Sequence, residues 1–106
     1  MDTLHLESVR QDETISFSLS GRFDFKTRHL FKDALADALT DDEIRTIELR
    51  LDNLHYLDSS ALGVLLKLWS EAQGQQKVMR ILNPRGVVAQ ALDIAQFNKL
   101  FDIVSA

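Results

Sequence analysis

A chain of 106 residues with 45% apolar and 26% charged side chains has the composition of one folded domain, lacks the polar bias of a disordered segment, and buries roughly two-thirds of its unfolded surface. Twelve basic against sixteen acidic side chains leave a net charge of -4, which argues against a phosphate backbone as the main partner. The absence of cysteine excludes disulfides, thiolate nucleophiles and Cys-ligated metals, and no window approaches the roughly 18 uninterrupted apolar residues of a membrane-spanning helix.

Leu4 and Leu6 alternate with His5 and Glu7, and Ile15, Phe17 and Leu19 alternate with Ser16, Ser18 and Ser20. This two-residue period predicts two half-buried strands in a hairpin. From about Thr27 the period becomes helical, with Leu30, Phe31, Ala34, Leu35, Ala38 and Leu39 on one stripe and Asp24 or Thr27 as its cap. The helix ends at the solvated turn Thr40-Asp41-Asp42-Glu43. Ile47, Leu49 and Leu51 alternate with Glu48, Arg50 and Asp52 in a third strand, which runs straight into Asp58-Ser59-Ser60.

Asp58 or Ser59 can cap a second helix there, accepting from the free amides of its first turn. Leu62, Leu65, Leu66, Trp69 and Ala72 form its expected core stripe, Lys67, Ser70, Glu71 and Gln73 face outward, and Gly74 stops it. Val78, Met79, Ile81 and Leu82 predict a fourth strand. Asn83-Pro84 is expected to cap and open a third helix bearing Val87, Val88, Ala91, Leu92 and Ala95, and Leu100, Phe101, Ile103 and Val104 close the chain as a short strand or an apolar tail. Strands alternating with helices call for right-handed crossovers, so the fold class is α/β with a small mixed sheet of four to five strands.

The Asp58-Ser59-Ser60 run is the most informative chemistry, because a hydroxyl at a helix start can carry a phosphate and the dipole tolerates negative charge at that end. His5, His29 and His55 lack metal-ligand spacing, so no metal is expected. Gly21 and Gly63 are isolated and no GxGxxG or GxxxxGK[ST] run exists, so no cofactor is expected. Ser60 lacks a GxSxG elbow and no histidine is placed by sequence to activate it, so no catalytic residue is assigned. Phe23 and Phe25 flank Asp24, and in an extended turn one of them must point away from the interior.

Three stretches, Ser20-Gly21-Arg22-Phe23-Asp24, Leu57-Asp58-Ser59-Ser60-Ala61-Leu62-Gly63-Val64-Leu65, and Asn83-Pro84 through Leu92, Phe97 and Leu100-Phe101, resemble the stand-alone STAS domains of the anti-sigma factor antagonist family. Ala61 stands where many members have glycine, a change a first helical turn accepts. The resemblance implies a STAS-like sheet with helices mainly on one face and a non-enzymatic binding module occupying residues 1–106. By the same resemblance Ser60 is phosphorylated, and Asp24, Phe25, Asp58, Ser59, Ala61 and Leu62 line the partner-binding surface. The implied partners are a serine kinase that doubles as an anti-sigma factor and a serine phosphatase, with no nucleic acid and no direct membrane contact. A cytoplasmic monomer is expected. Some small domains of this kind instead serve as accessory subunits of membrane lipid-transport ATPases without a phosphorylation cycle; the serine pair favours the regulator.

Overall fold

The computed structural model describes residues 3–105. Its elements are β1 (Leu4–Gln11), β2 (Thr14–Phe23), α1 (Arg28–Thr40), β3 (Thr46–Leu57), α2 (Ser59–Gly74), β4 (Val78–Leu82), α3 (Gly86–Ile94), a 3-10 turn (Phe97–Lys99) and β5 (Asp102–Val104). The five strands lie in chain order, with β1 antiparallel to β2 and every later pair parallel. This is the α/β mixed sheet expected. The closing apolar segment supplies both a short strand and, in Phe101, a buried ring. Among the described residues no helix is long and apolar enough to cross a membrane.

Alternation in the strands sends Phe17 and Leu19 of β2, Ile47, Leu49 and Leu51 of β3, and Met79 and Ile81 of β4 to one side, where the buried stripes of the helices cover them. The other side is polar, and across it Ser16 donates to Glu48, which accepts from Arg80, which in turn pairs with Asp102. Along β3 the register slips against β2 twice, between Ser18 and Ser20 and between Gly21 and Arg22. These bulges leave both Asp52 and Asn53 outside the core and bring Leu54 and Leu57 back into it, three residues apart rather than two. Gly21 stands at φ 96°, where a Cβ would collide with the carbonyl oxygen of Thr3, so this position requires glycine.

Four local expectations are corrected. The buried stripe of α2 is Ala61, Val64, Leu65, Leu68 and Ala72, whereas Leu66 is exposed and Trp69 half-buried with its indole N–H donating to the Leu100 carbonyl at 3.1 Å. Apolar residues occupy half the positions of this helix and crowd Ala61–Trp69, so periodicity alone admits two phases, and the small Ala61 and Ala72 lie on the side that approaches the sheet. Gly74 is the last residue of α2 rather than its stop, and the left-handed turn falls at Gln76. Asn83 does not cap α3. It adopts φ 56° and makes a corner, with its amide donating to the Val104 carbonyl and its side chain to Asp52, so that the helix starts later, at Gly86, and ends before Ala95. Thr27 precedes α1 without a side-chain cap, because its hydroxyl donates to the Arg22 carbonyl at 2.8 Å and accepts from the Asp24 amide.

At the opposite end of the sheet Lys77 is buried, and its ammonium donates to the carbonyls of Asp41 and Ile44, both at 2.6 Å. It fastens the α1–β3 turn to the start of β4.

Candidate functional site

Parallel pairing of β2 with β3 brings their C-terminal ends together, Phe23 beside Leu57, with the Asp58 amide donating to the Phe23 carbonyl at 3.3 Å. The 24–27 loop and the first turn of α2 are therefore neighbours although more than thirty residues separate them. This is the end of a parallel sheet where loops converge and sites are commonly built.

Asp58 is the N-cap of α2, with extended backbone at φ -110°, ψ -177°. Its Oδ1 accepts from the Ala61 amide at 3.0 Å and from the Ser60 hydroxyl at 2.7 Å, and its Oδ2 accepts from the Phe25 amide at 3.1 Å. Partial desolvation pushes its pKa up, but the Ser60 hydroxyl and the amides of Ala61, Phe25 and Ser60 outweigh that, so the carboxyl lies below its ordinary 3.8 and is ionised at neutral pH.

Asp24 is also ringed by donors. Its Oδ1 accepts from the amides of Lys26 at 3.0 Å and Thr27 at 3.1 Å, and its Oδ2 from Arg22 Nε at 3.4 Å. Here too desolvation raises the pKa and the hydrogen bonds from Thr27, Lys26 and Arg22 lower it further than that, with a net downward shift. Asp24 thus organises its own loop instead of capping α1.

Of the two phenylalanines, Phe23 is buried against Phe31 and Phe25 is 65% exposed. The Arg28 guanidinium lies 4.3 Å from the centre of the Phe25 ring, and that of Arg22 lies 4.0 Å from the centre of the Tyr56 ring. An open groove of about 420 Å³ runs between them, lined by Arg22, Asp24, Phe25, Lys26, Tyr56 and Asp58. On a chain of net charge -4, three cations stand at this one edge.

The first turn of α2 distributes its residues unequally. Ser59 is exposed, Ser60 and Leu62 are half-buried, and Ala61 is wholly buried, so Ala61 supports the surface from beneath and cannot line it. Sequence reasoning missed Arg22, Arg28 and Tyr56. A signal existed for Arg28, since a cation in a first helical turn opposes the dipole and invites another explanation. Nothing local signals the Arg22–Tyr56 contact, which the bulges in β3 create.

Among the described residues no group of three His, Asp or Glu side chains is placed to hold a metal ion. The hydrogen-bond partner of the Ser60 side chain is a carboxylate of lowered pKa, a weak base, and not an imidazole. The Ser60 hydroxyl thus donates to a poor proton acceptor.

The STAS domain family model matches residues 5–106. The chain belongs to the STAS family. It is 35% identical over 91 residues to a STAS-domain containing protein of Pseudomonas aeruginosa, covering 86% of this chain and 88% of that one. It is 29% identical over 103 residues to the anti-sigma F factor antagonist of Paenibacillus polymyxa, covering 94% and 86%. The solved structure of the anti-sigma factor antagonist SpoIIAA in its unphosphorylated form superposes with a TM-score of 0.80 at 21% identity, over 97% of this chain and 87% of that one. The phosphorylated form of SpoIIAA, from Bacillus, gives 0.74 at 20% identity, over 97% and 90%. The STAS fold of this chain is thus that of the anti-sigma factor antagonists, with the same sheet and helices.

Proposed function

We propose that the protein is a phosphorylation-controlled binding module of the anti-sigma factor antagonist type. Unmodified, it docks a serine kinase that doubles as an anti-sigma-like inhibitor, using Asp24, Phe25, Asp58, Ser59 and Leu62; phosphorylated on Ser60, it releases that partner until a serine phosphatase resets it. The observation that carries this reading is a half-buried serine at a helix start whose hydroxyl is joined, through one carboxylate, to an exposed aromatic loop. The existence of SpoIIAA in both unphosphorylated and phosphorylated forms supports it.

In the transfer, Ser60 Oγ bonds to the γ-phosphorus of the kinase's nucleoside triphosphate as the bond from that phosphorus to its bridging oxygen breaks. Nucleoside diphosphate leaves with the electron pair, and the hydroxyl proton passes to the kinase's base. The product carries about -1.5 to -2 charges at neutral pH, placed beside ionised Asp58. Like charges set against a partner cost several kcal/mol, and about 1.4 kcal/mol already weakens binding tenfold. The chain itself performs no chemistry in this scheme.

The test uses immobilised unmodified protein and protein with phosphoserine installed at position 60, each exposed to lysate of the native host. A serine kinase retained by the first and not the second is the expected result. Equal retention by both forms, or a transport ATPase as the retained protein, overturns the proposal.

A further inference from the structure

Asp58 accepts hydrogen bonds both from the hydroxyl of Ser60 and from the backbone of the Phe25 loop. We infer that it is a positioning residue that reports the state of Ser60 to Phe25, so that phosphorylation loosens the aromatic loop as well as adding charge. This deepens the reading of Ser60 as a phosphorylation site and rests on it.

The two oxygens of Asp58 have different duties. Oδ1 serves α2, through the Ala61 amide and the Ser60 hydroxyl, while Oδ2 serves the Phe25 amide 33 residues away. Phosphorylation replaces the O–H donor of Ser60 with an ester oxygen that has no proton to give, and sets a dianion where a 2.7 Å hydrogen bond stood. The carboxylate loses a donor and gains a repulsive neighbour at once, so it turns away.

At the helix the loss is repaired, because phosphate oxygens can accept from the free amides of the first turn. No such repair reaches the loop. The Phe25 amide is exposed and Asp58 Oδ2 is its protein acceptor, whereas its neighbours Lys26 and Thr27 keep theirs in Asp24. The loosening is therefore confined to Phe25 and its ring, the part of the loop that projects outward. A docking aromatic binds well when it is already held in its bound geometry, and freeing it adds an ordering cost to association.

Amide hydrogen exchange read residue by residue tests this on the intact chain. In protein with phosphoserine at position 60, exchange at Phe25 is expected to accelerate at least tenfold, with the Ala61 amide and the buried strand amides unchanged. Ser60→Ala removes the hydroxyl while leaving the Asp58–Phe25 bond, so its Phe25 amide should exchange as in unmodified protein. Asp58→Ala should free both Phe25 and Ala61; if that variant does not fold, the phosphoserine and Ser60→Ala proteins still decide the matter. Equal protection of Phe25 in unmodified and phosphorylated protein overturns the inference. If such protein nevertheless drops its partner on phosphorylation, the switch stands and works by repulsion alone; if Phe25 is freed but the partner is kept, the relay stands and the switch fails.

Discussion

Two carboxylates stand at the ends of adjacent parallel strands, both ionised and both surrounded by donors, yet they do different work. Asp24 takes its hydrogen bonds from Arg22, Lys26 and Thr27, all within three residues of itself. Asp58 takes one from its own helix, one from the serine at its side and one from Phe25 on another part of the chain. A locally satisfied acid shapes a turn, whereas an acid shared between segments couples them.

The largest effect expected from this contrast is on binding. Asp58→Ala should weaken capture of the partner at least tenfold and also lower stability by about 1 kcal/mol, the usual cost of losing an N-cap, read from partner titration and urea denaturation. Asp24→Ala should lower the denaturation midpoint less, and should leave exchange at the Ala61 amide untouched. An equal loss in both variants would break the distinction drawn between them.

Phe25→Ala follows, with partner affinity reduced and stability within about 0.5 kcal/mol of the parent, as for other exposed positions away from caps and core; a large stability loss would show that the ring is structural. The smallest effect is in the pH dependence. Both carboxyls have folded-state values below the ordinary 3.8, so their stabilising contribution is complete above that value and is lost as pH falls through the lower folded values. Acid titration of each alanine variant should therefore be flatter than the parent below pH 3.8, since a group with a depressed pKa has been removed.

Much of the fold is legible in the amino-acid order because strands of period two and the clean stripe of α1 have only one amphipathic solution. The stripe of α2 is not, since Leu62, Leu66 and Trp69 are as apolar as the residues that are buried, and contact with the sheet selects the phase. The turn at Asn83-Pro84 misleads for a related reason: an asparagine that could cap a helix instead adopts a left-handed conformation and bonds to Asp52. At the site, the residues from 58 to 62 can be seen together because they are consecutive. The bond from Phe25 to Asp58 and the contact of Arg22 with Tyr56 depend on how β2 and β3 slip past each other, and no short pattern encodes that. The burial of Ala61 likewise follows from which way α2 is turned.

Far from this edge, the ammonium of Lys77 sits under the α1–β3 turn with two carbonyls as its company. An acylating reagent has to reach that nitrogen from water, and the closed structure keeps it buried. Lys77 should accordingly be the slowest lysine to be labelled, and its labelling rate measures how often that corner of the molecule breathes.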